Sequence, residues 1–208
     1  MGNFISVIKS GIELEVTDDK AINAGLKYAF STRNGGVSVG SLSSLNLGVN
    51  RPDTRENLIE NYKIFCNAID IDYNSVVLPK QIHSDIILNV TKSDRGKRLT
   101  LVSDLPDCDG LITTDKEVAL GIFYADCTPV LLYDESVHCL CLVHCGWKGT
   151  VKGLAHRAVG KMINDYLCKK ENIHAIIGPC IGVCHFEVGT DVMIEFKNTG
   201  LNKCIKKG

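Results

Sequence analysis

Three residues that suit a metal ion or a nucleophilic site lie at the ends of apolar segments. His83 follows an apolar run in LPKQIHS, Cys127 follows VALGIFYAD, and His144 ends CLCLVH. Two imidazoles and one thiolate would hold a zinc ion and leave its fourth position open, as catalytic zinc requires. The long gaps between the three residues are unlike the close ligand pairs of a zinc finger.

The same three residues have two other interpretations. Without a metal, Cys127 and either His83 or His144 would form a thiol–imidazole pair in which the histidine activates the nucleophile. Alternatively, the three residues are unrelated side chains that happen to end three strands. Spacing alone does not separate these interpretations.

A second cluster of cysteine and histidine, GPCIGVCHFEVG at residues 178–189, carries the residue types of a zinc deaminase in another order. The deaminase signature places His-x-Glu before Pro-Cys-x-x-Cys. Here Cys180 and Cys184 come before His185, and three residues separate the two cysteines. We therefore interpret this segment as a turn rich in small residues.

The composition is typical of a globular cytoplasmic protein. Of the 208 residues, 45% are hydrophobic and 23% are charged, which is enough apolar material for a core. A formal net charge of −1 argues against a nucleic acid or an anionic membrane as partner. Ten cysteines without a recognisable signal peptide indicate reduced thiols in the cytoplasm. Those that alternate along one predicted strand are expected to fill the core: Cys139, Cys141 and Cys145.

Helices are predicted on both sides of a strand-rich centre. PDTRENLIENYKIFCNAIDI has apolar residues with helical spacing, and Asp53 with Glu56 resembles a capping box at its start. A second helix is predicted from Thr150 to Leu167, and a short one over GTDVMIEF.

Strands are predicted on both sides of KQIHS, in four apolar runs between residues 107 and 147, and in IHAIIGPCIG. One of the four runs contains Gly121–Ala125, which we expect to be a buried strand. This order predicts an α/β (α+β) fold with a mixed β-sheet flanked by helices, rather than strictly alternating βαβ units.

The segment STRNGGVSVGSLSSLNLG, residues 31–48, could bind an anion. Its glycines offer free backbone N–H groups, and Arg33 carries a planar guanidinium that suits phosphate or carboxylate. The segment matches neither the Walker A pattern nor a dinucleotide-binding pattern. Taken alone, such a loop is more often structural.

Together these segments resemble the YfiH family, also described as laccase-domain proteins or multicopper polyphenol oxidase-like purine nucleoside phosphorylases. The resemblance covers about residues 28–196 and rests on STRNGGVS, SLNLG, ENLIENY, KQIHS, DCDGLIT, ADCTPVLL, VHCGWKG and IGPCIGVCHFEVG. It implies one YfiH-like domain over residues 1–208, with a β-sheet sandwich flanked by helices. It also implies that His83, Cys127 and His144 bind one metal ion, usually zinc, with copper as the alternative.

The resemblance implies an enzyme that acts on nucleosides. Family members are associated with phosphorolysis of adenosine, inosine and methylthioadenosine, with adenosine deamination, and with copper-dependent oxidation of phenols. We therefore expect a monomer whose partners are a small-molecule nucleoside and phosphate. Asp126, next to Cys127, is expected to act in catalysis by orienting a ligand or carrying a proton. The expected substrate-binding residues are Arg33, Asn46, Gln81 and Asp109.

The sequence ends sooner than the family pattern does. Family members usually continue for several dozen residues past the segment that corresponds to Glu187-Val188, whereas this sequence stops at Gly208. We expect a C-terminally short domain, in which missing strands would expose a sheet edge and remove substrate contacts. A metal-binding module without catalytic activity is therefore a third function class, beside the nucleoside enzyme and the laccase-like copper oxidase.

Overall fold

The computed structural model describes residues 3–17 and 26–206, which form two units. The first unit comprises the described residues up to Leu78, together with Val90–Leu105 and Thr113–Gly121. The second comprises Pro79–Asn89, Pro106–Ile112 and the described residues from Ile122 onwards. The single domain expected over residues 1–208 stays a prediction.

The first unit contains two small sheets. An antiparallel sheet has the strand order β1 (Phe4–Lys9), β2 (Ile12–Thr17) and β3 (Phe30–Ser31). A separate parallel pair joins β4 (Val76–Val77) to β7 (Ala119–Leu120). Ile12 and Leu14 of β2 form a buried apolar cluster with Leu45 and Ala68.

The helix predicted in the first unit is confirmed, but its N-terminal cap differs. Helix α1 spans Arg55–Ala68, and the Thr54 side chain accepts a hydrogen bond from the backbone N–H of Asn57. The predicted capping box of Asp53 and Glu56 is therefore wrong, because Thr54 is the N-cap. The buried face of α1 consists of Leu58, Asn61, Tyr62, Cys66 and Ala68.

The second unit is built on a five-stranded sheet. Its strand order is β10 (His174–Ile177), β8 (Thr128–Asp134), β9 (Cys139–Cys145), β6 (Gly110–Thr113) and β5 (Ile87–Asn89). Both β10 and β9 pair antiparallel to β8, whereas β5 and β6 are parallel. The mixed sheet predicted from the sequence is confirmed.

The helix predicted over Thr150–Leu167 is interrupted. Helix α2 spans Trp147–Val151, and α3 spans Leu154–Tyr166. Gly153 lies between them with a left-handed φ of +73°, which glycine adopts without steric cost. The short helix predicted over GTDVMIEF is confirmed as α4, Thr190–Asn198.

Helix α3 packs on the sheet of the second unit, where Leu154, Ala158 and Met162 are fully buried. The residues of β9 in the same cluster are Cys139, Cys141, Val143 and Cys145, which confirms that the alternating cysteines fill the core. Burial raises the pKa of Cys141 to about 12, so this thiol behaves as a small apolar group. All ten cysteines lie in the described part of the chain, and each has a free thiol.

The strand predicted over Gly121–Ala125 does not form. The pairing in this region is limited to Ala119–Leu120, and the following residues are irregular. The backbone N–H of Phe123 donates to Gln81 Oε1 at 2.7 Å, and its carbonyl accepts from Gln81 Nε2 at 2.8 Å. A side-chain amide thus satisfies the backbone polar groups that a neighbouring strand would otherwise pair.

Over residues 3–17 and 26–206, the helices lack the combination of length and apolar character that crossing a bilayer requires. The cytoplasmic location expected from the sequence stays a prediction.

Candidate metal centre

Several strand ends meet at one end of the five-stranded sheet. The register of β8 and β9 pairs Thr128 with Cys145 and Pro129 with His144. Cys127 directly precedes β8, so this register brings it beside His144 despite their separation in sequence. In addition, the backbone N–H of His144 donates to the carbonyl of Asp109, just before β6, at 2.7 Å.

His83 reaches the same end of the sheet through the loop before β5. The backbone N–H of Cys108 donates to the Lys80 carbonyl at 3.0 Å, and that of Asp109 donates to the Ile86 carbonyl at 3.1 Å. These bonds hold the loop alongside the start of β6. Within the loop, His83 has a left-handed backbone with φ of +59°, which is uncommon for a residue with a side chain.

The candidate ligand atoms of His83, Cys127 and His144 all lie within 4.8 Å of one another. The two imidazole rings meet edge to face, with centroids 5.0 Å apart and an interplanar angle of 69°. Two imidazole nitrogens and one thiolate around a tetrahedral zinc ion would be about 3.3–3.6 Å apart, a distance that side-chain rotations from the observed positions would reach. His83 is exposed, Cys127 half-buried and His144 buried, so the group is accessible from one side.

Asp109 lies behind the ligands and is fully buried. Its Oδ1 is 2.9 Å from His144 Nδ1, which leaves His144 Nε2 as the ring nitrogen available to a metal. Its carboxylate also accepts hydrogen bonds from Ile82, His83 and Ser84. Burial opposes ionisation, but the hydrogen bonds from Ser84 and His144 outweigh it and hold the pKa of Asp109 below its usual range.

The surroundings of Cys127 do not favour a free thiolate. Burial, together with the negative charges of Asp126 and Asp109, raises the pKa of the Cys127 thiol. Thiol nucleophiles need the opposite shift, so the metal-free thiol–imidazole interpretation gains no support here. A divalent cation would reverse this local field and deprotonate the thiol as a ligand.

Gly146 is part of the site, and sequence reasoning missed it. A Cβ atom at this position would lie 2.9 Å from His83 Cδ2 and 3.0 Å from Cys127 Sγ. The side chains of His83 and Cys127 therefore pack directly against the backbone of Gly146, in space that a larger residue would fill. The only signal in the sequence was its place in VHCGW, two residues after His144.

The expected catalytic role of Asp126 stays a prediction. Its side chain is exposed next to Cys127, and its carbonyl accepts a hydrogen bond from the backbone N–H of Ile181 at 3.1 Å. That bond places the loop that contains Cys180 and Cys184 against the chain just before β8.

The expected substrate contacts of Gln81 and Asp109 also stay predictions. Gln81 uses both atoms of its amide on the backbone of Phe123. Asp109 accepts five hydrogen bonds within the protein, from three backbone N–H groups, the Ser84 hydroxyl and the His144 ring. The described contacts therefore give both residues a role in positioning the chain around the ligands.

Arg33 and Asn46 lie in the first unit. The guanidinium of Arg33 donates to the Ser43 carbonyl from Nε at 3.2 Å and from Nη2 at 2.8 Å. Asn46 Nδ2 donates to Asp53 Oδ2 at 2.8 Å. These bonds organise the loop over residues 31–48, and the expected contacts with phosphate and nucleoside stay predictions.

Asp53 makes this loop sensitive to acid. Its carboxylate accepts hydrogen bonds from Ser38 Oγ at 2.6 Å, Asn46 Nδ2 at 2.8 Å and Asn57 Nδ2 at 3.1 Å. The bonds from Ser38 and Asn46 are the main reason that the pKa of Asp53 falls to about 2. An unfolded aspartate has a pKa of about 3.9. Ionised Asp53 therefore stabilises the folded chain above pH 4, and this contribution is lost as the pH falls towards 2.

We expect Asp53→Asn to lower the urea midpoint of unfolding at pH 7 and to lower it about half as much at pH 3. The variant lacks the charge whose stabilising effect is lost in acid. The unfolding curves of the wild-type protein and the variant should therefore approach each other as the pH is lowered. Circular dichroism at both pH values measures the difference, with Glu60→Gln, an exposed acid on α1, as control. A difference that is equally large at pH 7 and pH 3 would contradict this role of Asp53.

A mixed α/β fold with two histidines and a cysteine gathered at a sheet end defines a candidate metalloprotein. A family model described as multi-copper polyphenol oxidoreductase laccase matches residues 27–207. The chain therefore belongs to this family, and its resemblance to YfiH proteins is confirmed.

Curated relatives in this family carry the name of a nucleoside enzyme. The chain is 36% identical over 188 residues to a purine nucleoside phosphorylase of Clostridium acetobutylicum. The aligned residues cover 90% of this chain and 68% of that protein. It is also 34% identical over 170 residues to the purine nucleoside phosphorylase YlmD of Bacillus subtilis. These residues cover 81% of this chain and 60% of YlmD.

Two solved structures share the fold. YlmD from Geobacillus stearothermophilus superposes with a TM-score of 0.77 at 31% identity, over 82% of this chain and 63% of that one. YfiH from Bacillus licheniformis superposes with a TM-score of 0.77 at 34% identity. The match covers 82% of this chain and 64% of that chain. The mixed α/β fold is thereby confirmed, and the chain spans less than two thirds of both solved relatives.

Proposed function

We propose that this chain is a zinc-dependent purine nucleoside phosphorylase that acts on adenosine, inosine and methylthioadenosine, with adenosine deamination as a side activity. The observation that carries the proposal is the convergence of His83, Cys127 and His144 within 4.8 Å. The names of the relatives supply the class of substrate. In this proposal the protein works as a cytoplasmic monomer, and its partners are a nucleoside and phosphate.

The three side chains fit a zinc ion. Imidazole and thiolate are both ligands that zinc prefers. Two imidazoles and one thiolate give the three protein ligands of a zinc site whose fourth position is open. Asp109 occupies Nδ1 of His144 and so directs Nε2 to the metal. A zinc ion held there supplies a Lewis acid that polarises oxygen atoms in the site.

The other residues have roles that their side chains suit. Asp126, exposed beside Cys127, is proposed to accept or deliver a proton. Arg33 is proposed to hold phosphate with its guanidinium, which would then share or release the Ser43 carbonyl. Gln81 and Asn46 are proposed to contact the nucleoside. In phosphorolysis a phosphate oxygen bonds to C1′ of the ribose while the glycosidic bond breaks, and the departing purine takes a proton.

Copper-dependent oxidation of phenols is the second candidate function. The description of the family and the donor set favour it, because two histidines and a cysteine also bind copper. Over the described residues, however, one group of three or more ligand side chains is close enough to hold a metal. A single copper ion carries one electron at a time, so it cannot by itself gather the electrons that reduce dioxygen to water. We therefore rank this function second.

Incubation of the zinc-loaded protein with adenosine and inorganic phosphate tests the proposal. We expect adenine and ribose 1-phosphate to form only when phosphate is present, as followed by liquid chromatography. Inosine that forms without phosphate reports the deaminase side activity. The metal-stripped protein is the control, and we expect it to be inactive until zinc is restored.

The same assay separates the alternatives. Phenol oxidation by the copper-loaded protein, without any nucleoside product, would favour the second candidate. Folded protein that holds zinc and yields no product would contradict the enzymatic proposal for this chain and leave a metal-binding module.

A further inference from the structure

Asp109 connects the two chain segments that carry the histidine ligands. Its Oδ1 lies 2.9 Å from His144 Nδ1 on β9 and 3.0 Å from the backbone nitrogen of His83 in the loop before β5. Its Oδ2 accepts from Ser84 twice, from the backbone N–H at 2.6 Å and from Oγ at 2.8 Å, and from the Ile82 N–H at 3.2 Å. One buried carboxylate therefore holds both segments.

We propose that Asp109 is the positioning residue of the metal centre, which fixes the ring tautomer of His144 and the backbone conformation of His83 with one carboxylate. This inference rests on the metal site of the proposed function and deepens it. It gives Asp109 a role different from the substrate contact expected from the sequence.

The tautomer of His144 follows from the chemistry of a carboxylate. An ionised carboxylate only accepts hydrogen bonds, so His144 Nδ1 must carry the proton that lies between it and Asp109. A neutral imidazole has a single N–H, so the lone pair of His144 is on Nε2. Metal ligation requires that lone pair, and a hydrogen bond on the other nitrogen is how proteins select it.

The conformation of His83 depends on the same group. Three consecutive backbone N–H groups, from Ile82 to Ser84, point at the Asp109 carboxylate. Successive N–H groups that converge on an anion form a nest, and here the nest includes the left-handed residue His83. Left-handed backbone is unfavourable for a residue with a side chain, so the carboxylate offsets its cost. The His83 ring is held towards Cys127 and His144 as a result.

The variant Asp109→Asn removes this arrangement in either orientation of the amide. If the amide oxygen takes the place of Oδ1, it accepts from His144 and His83. The NH₂ group of the amide then faces the N–H groups of Ile82 and Ser84, and donors oppose donors. If the amide is flipped, NH₂ faces His144 Nδ1 and moves the ring proton to Nε2, the nitrogen that the metal needs.

Zinc affinity, measured by competition with a chromophoric chelator, tests the proposal. We expect Asp109→Asn to bind zinc about 10–100-fold more weakly than the wild-type protein, as is usual for a residue that orients a ligand. The matched control is Ser84→Ala, which removes one bond to the same carboxylate and keeps the bond to His144. We expect its zinc affinity to stay close to that of the wild type. A folded Asp109→Asn protein with wild-type affinity would overturn the proposal.

A second measurement does not depend on how the variant folds. Nitrogen-15 chemical shifts of the imidazole rings in metal-free wild-type protein, assigned with a His144→Gln variant, show which nitrogen carries the proton. We expect the proton of His144 on Nδ1 at neutral pH, whereas a proton on Nε2 would overturn the proposal. If the wild-type protein binds no zinc, the proposed function fails, while the tautomer still decides the role of Asp109.

Discussion

Replacing Cys127 with alanine is expected to abolish zinc binding and nucleoside turnover together. The substitution removes the one sulfur among the three ligand atoms that lie within 4.8 Å. Two imidazoles alone leave the ion half exposed to water, so the zinc affinity should fall by more than the roughly 100-fold seen for residues that only orient a ligand. Metal content after dialysis and the adenosine assay measure the two losses.

The controls for this variant separate the ligand from the fold. Cys204→Ala removes an exposed thiol elsewhere in the second unit and should leave zinc content and turnover unchanged. Cys127→Ser keeps the shape of the side chain while replacing sulfur with a poorer ligand, so it should also lose zinc. An active, metal-free Cys127→Ala protein would refute the assignment of the metal site.

A methyl group at residue 146 is expected to impair zinc binding nearly as strongly as the loss of a ligand. In Gly146→Ala the new carbon would lie 2.9 Å from His83 Cδ2 and 3.0 Å from Cys127 Sγ, well inside the contact distance of about 3.5–4.0 Å. The two ligands would have to move apart to relieve both contacts. Gly146 has φ of −67° and ψ of 170°, which alanine also adopts, so the effect arises from the methyl contact and not from backbone strain.

Gly160→Ala is the matched control for Gly146→Ala. Gly160 lies on α3, and a Cβ atom there would meet no atom within 4 Å apart from its chain neighbours and the backbone of its own helix. We expect unchanged zinc affinity and a gain of about 1 kcal/mol in the free energy of unfolding from the higher helix propensity of alanine. Calorimetric zinc titration of both variants measures the contrast. A Gly146→Ala protein with wild-type zinc affinity would show that the ligands do not approach as the structure places them.

The candidate ligand set could be predicted from the sequence because its chemistry is local. Histidine and cysteine at the ends of apolar runs are visible in the sequence, and the resemblance to the YfiH family selected His83, Cys127 and His144 from among sixteen histidines and cysteines in total. What the sequence did not contain was the reason for their convergence. That reason is the register of β8 and β9, which pairs Pro129 with His144.

The role that we propose for Asp109 could not be predicted for a similar reason. Asp107 and Asp109 flank Cys108 and look alike in the sequence. In the structure, Asp107 forms an exposed ion pair with Lys80 at 2.8 Å, whereas Asp109 is fully buried between the ligand segments. Only the three-dimensional path of the loop before β5 distinguishes the two acids.

The two errors in the predicted secondary structure have different causes. Gly121–Ala125 is apolar enough for a strand, but the side chain of Gln81 takes both backbone hydrogen bonds of Phe123 at its centre. The helix after β9 keeps its apolar spacing through Gly153, which nevertheless breaks it. In both cases a tertiary contact or a single backbone angle overrides a pattern that local spacing describes correctly.

We expect His83, Cys127 and His144 to hold one metal ion. X-ray absorption at the zinc edge of the loaded protein measures this because it counts sulfur and nitrogen ligands separately. We expect one zinc ion per chain with one sulfur at about 2.3 Å and two imidazole nitrogens at about 2.0 Å. A zinc ion without sulfur, or with two or more sulfur ligands from thiols such as Cys180 and Cys184, would contradict this expectation.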